Sequence, residues 1–187
     1  MSKKDRLPRG QRLAEDFPVL QYGGIPEFNE KQWTFTITGL VTKPLRLTYK
    51  EFLSLPSMEL TTDFHCVTGW SKFDLRWKGV LFKTIVSITK PSKEASFVEI
   101  TAEQGYTTNL PLSVAMDDDV IFAFGLGGKP LTLEHGFPLR LVVPKRYAYK
   151  SAKWVRGLEF LKKDRLGFWE SRGYSNSADP WREERFS

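Results

Sequence analysis

The chain has 187 residues, of which 41% are hydrophobic and 27% are charged, and its net charge at neutral pH is +6. This length predicts one domain, and a domain of this size buries enough surface, about 70% of the unfolded total, to fold without disulfide bridges. The composition excludes disordered and fibrous proteins, and no apolar run approaches the ~18 residues that a membrane span requires.

Basic residues are concentrated at two places in the chain. Residues 1–12 contain five basic residues and one acidic residue, and residues 140–165 contain nine basic and two acidic residues. Because the rest of the chain is acidic, this distribution indicates an anionic partner, such as nucleic acid, a membrane surface or a phosphorylated small molecule. A basic face in contact with water is the simpler alternative.

The first 32 residues combine prolines and glycines with little periodicity, which predicts an irregular segment. We expect residues 1–16 to form a basic N-terminal arm and residues 17–187 to form the domain. The stretch Phe17–Leu20 is too apolar to remain in water, so we expect it to pack on that domain.

The next patterns predict one strand and one short helix. Residues 33–37 alternate between large apolar side chains and threonine, as in a half-buried strand, and Gly39 ends the pattern. Thr48 and Glu51 have the spacing of a capping box, which predicts a helix that ends before Pro56.

The remaining patterns predict more strands than helices. Residues 58–62 predict a strand, residues 63–74 a loop, and Leu81–Ile88 a helix with one apolar face. Further strands are predicted at residues 97–101, 106–110, 120–124, 139–143 and 155–160, with a glycine-rich turn at 125–128. The tail from Leu166 is rich in aromatic residues, so we expect it to wrap over the domain. Many short strands with few short helices indicate an α+β fold with mixed β-sheets, and they do not match a dinucleotide-binding fold.

Common catalytic and nucleotide-binding motifs do not occur in this sequence, which contains no P-loop, no GxGxxG and no GxSxG. His65 and His135 do not match any common zinc-binding spacing with a single cysteine. The acidic run Asp117–Asp119 is typical of a solvated turn. We do not expect a nucleic-acid partner, because no RNA- or DNA-binding signature is present, although the basic arm is compatible with non-specific phosphate contacts.

Cys66 is the only cysteine, so no internal disulfide can form, which fits a reducing compartment. Because the N-terminus lacks the apolar segment of a secretory signal, we expect a cytoplasmic location. Three roles fit the thiol: a small buried apolar side chain, a ligand for a soft metal, or a reactive thiolate. The neighbouring His65 is a basic group that could lower the pKa of the thiol.

The segment around Cys66 and later blocks occur in a recognisable order. Residues 65–71 read His-Cys-Val-Thr-Gly-Trp-Ser, and residues 77–80 read Trp-Lys-Gly-Val. They are followed by Gly-Lys-Pro-Leu at 128–131, His-Gly-Phe-Pro-Leu-Arg-Leu-Val-Val-Pro at 135–144, and Tyr147, Lys150, Lys153 and Trp154. Together these blocks resemble the molybdopterin-binding domain of the sulfite oxidase family. Phe17–Leu20 and the aromatic ending at 167–174 are similar to its small stand-alone bacterial members, so the resemblance runs from about residue 17 to the C-terminus.

This resemblance implies a single sulfite-oxidase-type molybdopterin-binding domain with a molybdenum–molybdopterin cofactor. The family's metal takes one cysteinate from the protein, which here can only be Cys66, and His65 is the adjacent candidate for a catalytic and cofactor-binding neighbour. The implied activity is two-electron oxygen-atom transfer on a small molecule, either sulfite oxidation or reduction of a sulfoxide or N-oxide. The length leaves no space for an attached haem domain, so the electron-transfer partner is a separate, unidentified molecule. The arginine cluster that binds sulfite in eukaryotic members has no counterpart that we can place.

The methionine-sulfoxide reductase branch of the family supplies candidate cofactor contacts, position by position. A threonine about 35 residues after the cysteine corresponds to Thr101. The arginine of a Pro-Leu-Arg turn corresponds to Arg140, and His135 replaces the branch's asparagine five residues earlier. The stretch that grips the cofactor phosphate corresponds to Ser151, Ala152 and Lys153, and backbone contacts correspond to Leu20 and Gln21.

Two functions of other classes stay open on the sequence alone. The domain could be a non-catalytic module that binds an anion or nucleic acid in a basic groove with Arg140 and Lys153. Alternatively, Cys66 could be a thiol nucleophile with His65 or His135 as its base.

Overall fold

The computed structural model describes residues 5–187 of the chain. The expectations for Lys3 and Lys4 in the N-terminal arm therefore concern residues outside this range. Within the range, the strands are β1 (Arg12–Leu13), β2 (Thr34–Gly39), β3 (Leu45–Thr48), β4 (Met58–Cys66), β5 (Trp70–Leu81), β6 (Phe97–Ala102), β7 (Thr107–Pro111), β8 (Ile121–Leu126), β9 (Lys129–Pro130), β10 (Arg140–Val142) and β11 (Val155–Leu161). The α-helices of residues 5–187 are α1 (Tyr49–Leu53), α2 (Phe82–Thr89) and α3 (Leu112–Ala115), and 3₁₀ turns lie at Glu103–Gly105, Ala148–Lys150 and Glu170–Arg172.

Two mixed sheets form the frame of the described residues, as the α+β prediction requires. One sheet has the strand order β1-β5-β8-β10, with β4 also paired to β5 and β9 to β8. The other has the order β3-β2-β11-β6-β7. Each sheet contains one parallel pair, β1 with β5 and β11 with β2, and the remaining pairs are antiparallel.

Alternate side chains of the six-stranded sheet enter two different apolar clusters. Phe122 of β8 packs in the main core with Phe35 of the five-stranded sheet, and both are fully buried. The neighbouring Ile121 and Ala123 enter a second cluster, which contains Cys66. This alternation is the period-2 geometry of a strand, and it places the cysteine on the sheet face away from the main core.

Several sequence predictions are confirmed. The strand that ends at Gly39 is β2, and the helix at residues 49–53 carries the predicted capping box: Glu51 N–H donates to Thr48 Oγ1, and Thr48 N–H donates to Glu51 Oε2. The helix at 82–89 and the five later strands also form, with ends shifted by one or two residues. The aromatic tail packs on the domain, since Trp169 and Tyr174 contact the buried Tyr147 cluster.

The predicted loop at residues 63–74 is wrong. This segment belongs to a long β4–β5 hairpin, in which Cys66 pairs with Trp70 and Met58 pairs with Gly79 across the ladder. Residues 73–79 alternate buried and exposed side chains, so the strand period was visible in the sequence.

The N-terminal arm is attached to the domain where the structure describes it. β1 pairs with β5, with Arg12 opposite Trp70. Arg6 donates from Nη2 to Asp63 Oδ1 at 2.5 Å and to Asp74 Oδ1 at 2.6 Å. Within residues 5–187, no helix combines the length and apolarity needed to cross a bilayer.

Candidate active site

A cavity of about 290 Å³ opens where the Cys66 turn, the N-terminal segment and the C-terminal tail meet. Its lining comprises Phe17, Pro18, Leu20, Gln21, Tyr22, Phe64, Cys66, Val67, Thr68, Trp70, Glu103, Gln104, Tyr106, His135, Arg140, Ala148, Tyr149, Ser151, Ala152, Lys153, Trp154, Phe168, Trp169 and Tyr174. The cavity thus brings together eight of the sequence-predicted site residues: Leu20, Gln21, Cys66, His135, Arg140, Ser151, Ala152 and Lys153.

Cys66 reaches this cavity because it is the last residue of β4 and lies on the same sheet face as Phe64 and Trp70. Its Sγ accepts a hydrogen bond from Thr68 Oγ1 at 3.2 Å. Burial raises the pKa of the thiol, and the Thr68 hydrogen bond and the Arg185 charge oppose this change. Ionisation of this buried sulfur therefore calls for a cationic partner, such as a metal ion.

His65 does not line the cavity, which corrects its predicted place beside the metal. Successive residues of a strand point to opposite faces, so His65 and its cross-strand partner Ser71 lie away from Cys66. His65 Nδ1 is 2.8 Å from Ser71 Oγ. Burial lowers the pKa of His65 to about 4, so its ring is neutral at pH 7 and does not lower the pKa of the thiol.

Thr101 also lies outside the cavity lining. It belongs to β6, where it pairs with Thr107 of β7 and Gly157 of β11. An ideal Cβ on Gly157 would come 3.2 Å from Thr101 Oγ1, so this hydroxyl is packed within the five-stranded sheet. The spacing from the cysteine that the methionine-sulfoxide reductase branch suggests therefore does not lead to a residue of the cavity lining.

Arg140 is a buried cation that faces the cavity with only 4% of its surface exposed. Its Nη1 donates to the carbonyl of His135 at 3.0 Å, and its Nη2 donates to the carbonyl of Ser151 at 3.3 Å. Nε has no hydrogen-bond partner among the described residues, and no carboxylate of residues 5–187 forms an ion pair with the guanidinium. Burial lowers the pKa of Arg140 to about 9. A buried cation without an internal anion marks a site for an anionic ligand.

Lys153 is the second cation of the cavity wall. Its Nζ donates to Gln21 Oε1 at 3.2 Å and to the carbonyl of Glu134 at 2.7 Å. Burial and the nearby Arg140 charge lower the pKa of Lys153 to about 8. Gly136 permits this arrangement, because an ideal Cβ at that position would lie 3.0 Å from Arg140 Cβ and 3.2 Å from Lys153 Cβ.

The segment 151–153 offers free backbone donors beside these cations. The N–H of Ser151 is already used, since it donates to the carbonyl of Ala148 at 2.9 Å, and its Oγ accepts from Val143 N–H at 2.9 Å. The N–H groups of Ala152 and Lys153 make no hydrogen bond within residues 5–187. Two free N–H groups next to two cations form a suitable cradle for a phosphate.

His135 contributes its ring face and its carbonyl rather than a free nitrogen. The ring stacks on Phe17, with centroids 4.7 Å apart and planes at 13°. Nδ1 contacts Thr132 Oγ1 at 2.9 Å, and Nε2 contacts the carbonyl of Phe17 at 3.2 Å. Since both histidines are engaged elsewhere, no histidine is placed as a base for Cys66 in the described structure, and the thiol-nucleophile hypothesis loses its support.

Sequence reasoning missed the aromatic wall of the cavity. Tyr22 of the N-terminal segment contacts Phe168 and Trp169 of the tail, with ring centroids 4.6 Å and 6.0 Å apart. Tyr106 and Tyr149 continue the wall, and Tyr106 Oη donates to the Tyr149 carbonyl at 2.6 Å. The aromatic density of the tail was the available signal, but it indicated packing only.

Most of the other basic residues in 140–165 form ion pairs with acidic residues of the chain. Lys145, Lys150, Arg156, Lys162 and Arg165 form ion pairs with Asp117, Asp119, Glu170, Glu103, Glu94, Glu99 and Glu159. The charge of the basic block is therefore largely balanced by acidic residues of the same chain, mostly at the surface, and of these pairs only Lys150–Glu170 is fully buried. This leaves Arg140 and Lys153 as the cations that face the cavity.

A pterin cofactor with a phosphate and a soft metal fits this cavity. Arg140 Nε and Trp70 Nε1 are buried donors without a partner in the described residues, and Cys66 contributes a sulfur atom to the lining of the same cavity. No cluster of three or more potential metal ligands occurs in residues 5–187. The fold and cavity thus suit a domain that binds a cofactor with an anionic group.

Residues 22–169 match the model of the oxidoreductase molybdopterin binding domain family. The chain belongs to this family, and it is a molybdopterin-dependent oxidoreductase. The expected cofactor class, α+β fold and sulfite-oxidase-type domain are confirmed by this match and by the relatives described next.

Two curated relatives share much of the sequence. The chain is 42% identical over 183 residues to the uncharacterized oxidoreductase YuiH of Bacillus subtilis (strain 168), covering 97% of this chain and 92% of that protein. It is 32% identical over 161 residues to the protein-methionine-sulfoxide reductase catalytic subunit MsrP of Campylobacter jejuni, covering 77% of this chain and 54% of that protein. The chain thus spans nearly all of YuiH but about half the length of MsrP.

A solved structure shows the same fold. The sulfane dehydrogenase SoxCD from Paracoccus pantotrophus superimposes with a TM-score of 0.70 and 24% sequence identity. The match covers 80% of this chain and 42% of that chain. At this identity the likeness concerns the fold alone.

Proposed function

We propose that the protein transfers one oxygen atom and two electrons at a molybdenum centre ligated by Cys66. The observation that carries this proposal is the presence of the only cysteine on the same cavity wall as a buried, carboxylate-free arginine. When bound, the cofactor supplies a metal that exchanges two electrons and one oxygen atom with the substrate. The Cys66 sulfur would bind that metal, and the surrounding residues would hold the rest of the cofactor.

The cofactor phosphate would bind at the Arg140 end of the cavity. Arg140 and Lys153 supply the positive charge, and the N–H groups of Ala152 and Lys153 supply further donors. Charge-assisted hydrogen bonds of this kind each contribute roughly 1.5–3 kcal/mol. His135 would act indirectly, because its carbonyl orients Arg140. Leu20 and Gln21 line the same cavity and would supply backbone contacts to the cofactor.

An uncharged S-oxide or N-oxide fits the rest of the cavity better than sulfite does. Among the described lining residues, Arg140 and Lys153 are the only cationic side chains, since burial lowers the pKa of His135. If both cations bind the cofactor, no cation remains for an anionic substrate. The aromatic wall formed by Tyr22, Phe168 and Trp169 is suited to an apolar, uncharged body. The name of the MsrP relative also supports sulfoxide reduction.

In the reductive direction, the substrate loses its oxygen as water and takes up two electrons and two protons. The electrons come from a separate donor, a small redox protein or carrier that remains to be identified. The aromatic wall would exclude bulk water around the reacting S–O or N–O bond. The cytoplasmic location stays a prediction, which fractionation of cells carrying a tagged protein would check.

Cys66→Ser tests the proposed metal ligand. X-ray absorption at the molybdenum edge should show one sulfur neighbour fewer, and turnover should fall more than ~100-fold, because even indirect metal-site substitutions cost 10–100-fold. Thr68→Val is the matched control, since it removes the hydrogen bond to Sγ but keeps the sulfur. An unchanged sulfur count would contradict the proposal.

A second measurement tests the substrate class. The loaded protein should reduce methyl p-tolyl sulfoxide or trimethylamine N-oxide with reduced benzyl viologen faster than it oxidises sulfite with ferricyanide. Faster sulfite turnover would reverse the proposed direction.

A further inference from the structure

The turn that carries Cys66 is held from both ends of the described chain. The carbonyl of Cys66 accepts from Gln11 Nε2 at 3.1 Å, in addition to the turn's own Gly69 N–H at 3.0 Å. The carbonyl of Gly69 accepts from Arg12 N–H at 3.0 Å, and the carbonyl of Val67 accepts from Arg185 Nη1. Three carbonyls of a four-residue turn are therefore fixed by segments that are distant in sequence.

We propose that Gln11 and Arg185 form a clamp that positions the Cys66 sulfur for the cofactor metal. Both residues lie outside the 22–169 segment that matches the family. Neither side chain lines the cavity, so each acts on the sulfur through the backbone of the turn. The clamp rests on the proposed role of Cys66 as the metal ligand.

Gln11 is held in the orientation that this role needs. Its Oε1 accepts from Ser71 Oγ at 3.3 Å, which directs Nε2 toward the Cys66 carbonyl. Ser71 Oγ is in turn 2.8 Å from His65 Nδ1. The row His65–Ser71–Gln11, of which His65 and Ser71 are buried and Gln11 is half-buried, thus ends on the carbonyl of the cysteine. His65, which does not reach the cavity, becomes a positioning residue behind the turn.

Arg185 joins the two chain ends as well as the turn. Its Nη2 donates to the carbonyl of Gly10 at 3.1 Å, and its guanidinium carbon lies 5.3 Å from the Tyr147 ring centroid. The planar guanidinium can serve two carbonyls and one ring at once, whereas a lysine ammonium has no such fork. Gly10 allows this approach, because an ideal Cβ there would lie 3.0 Å from Arg185 Nη2 and 2.6 Å from Glu183 Oε1.

Thiol alkylation of the full-length, cofactor-free protein measures the clamp directly, because Cys66 is the only thiol. Arg185→Gln should raise the rate of reaction with iodoacetamide by roughly tenfold, since the released turn exposes the sulfur more often. The matched control is Arg182→Gln, on the same tail, whose guanidinium pairs with Glu184 at 3.2 Å and is 74% exposed. The control should react at the wild-type rate.

The direction of the change in the alkylation rate distinguishes a positioning role of Arg185 from an effect of its charge on the thiol. Loss of a nearby cation without movement of the turn would slow alkylation, because less thiolate would form. A slower or unchanged rate for Arg185→Gln would therefore overturn the clamp. If Arg185→Gln fails to fold, Gln11→Ala gives the same test from the other chain end, with the exposed Gln32→Ala as its control.

The loaded enzyme gives an independent readout. Gln11→Ala and Arg185→Gln should change the Mo(V) electron paramagnetic resonance spectrum. Arg185→Lys should retain part of the wild-type spectrum, because a lysine can still donate to one of the two carbonyls. Identical spectra in all variants would overturn the clamp. An unchanged sulfur count in Cys66→Ser would instead reject the metal-ligand proposal, while the alkylation rates would still report on the turn.

Discussion

Lys150 and Arg140 are both buried cations, but the fold neutralises only one of them. Lys150 Nζ lies 2.6 Å from Glu170 Oε1, with both side chains fully buried, and it donates to the Asn109 carbonyl and Oδ1 at 2.9 and 3.0 Å. Arg140 has only two carbonyl acceptors within the described residues and no carboxylate. A complete set of internal partners identifies a structural charge, and an incomplete set identifies a place for a ligand.

Removing the anion of the complete pair should have the largest effect on stability. Glu170→Gln leaves Lys150 buried without its carboxylate, so the free energy of unfolding should fall by about 3–5 kcal/mol in urea titrations. Asp118→Asn is the control, because its ion pair with Lys83 is exposed to solvent and therefore contributes little to stability. A loss below 1 kcal/mol for Glu170→Gln would remove the distinction between the two cations.

Removing the cation without a carboxylate should affect the cofactor more than the fold. Arg140→Met should lower the molybdenum and releasable pterin per protein at least ~10-fold, because charge-assisted bonds to the phosphate are lost. Stability of the cofactor-free protein should fall by less than in Glu170→Gln, because two carbonyls lose their donor but an unpaired buried charge is removed as well. Arg165→Met, whose guanidinium pairs with Glu99 and Glu159, should retain the cofactor. Full cofactor content in Arg140→Met would refute the proposed phosphate site.

The smallest expected effect is a pH dependence of the empty site. Burial lowers the pKa of Lys153 to about 8, below the value near 10.4 of an unfolded lysine. Between these values the unfolded chain binds more protons, so Lys153 should make stability rise with pH from about 8 to about 10.4. Lys153→Met should remove that part of the slope in cofactor-free protein, measured as thermal midpoints against pH. Equal slopes in both proteins would show that Lys153 does not titrate as described.

Local patterns predicted much of the fold. The Thr48–Glu51 capping box and the alternation at 33–37 each depend on contacts within a few residues, and both elements form. The predicted loop at 63–74 failed for the opposite reason. The segment lies in a hairpin whose ladder joins residues as distant as Met58 and Gly79, and its local signal was the alternation at 73–79.

The sequence predicted the cavity better than it predicted the surroundings of the sulfur. The spacing from Arg140 that the family resemblance supplied led to three residues of the cavity lining, Ser151, Ala152 and Lys153, which lie in the connection between β10 and β11. His65 was misplaced because adjacency along a strand means opposite faces. Gln11 and Arg185 had no local signal, since their contacts with the Cys66 turn join positions 55 and 118 residues apart.

The long separation between Val67 and Arg185 has a consequence during synthesis of the chain. At typical translation rates of ~5–20 residues per second, the ribosome needs roughly 6–24 s to proceed from one position to the other. During this interval the β4–β5 hairpin can form, but the sulfur-bearing turn lacks its final contact. Under the proposed role of Cys66, a cofactor that requires the completed turn could therefore be inserted only after Arg185 has left the ribosome.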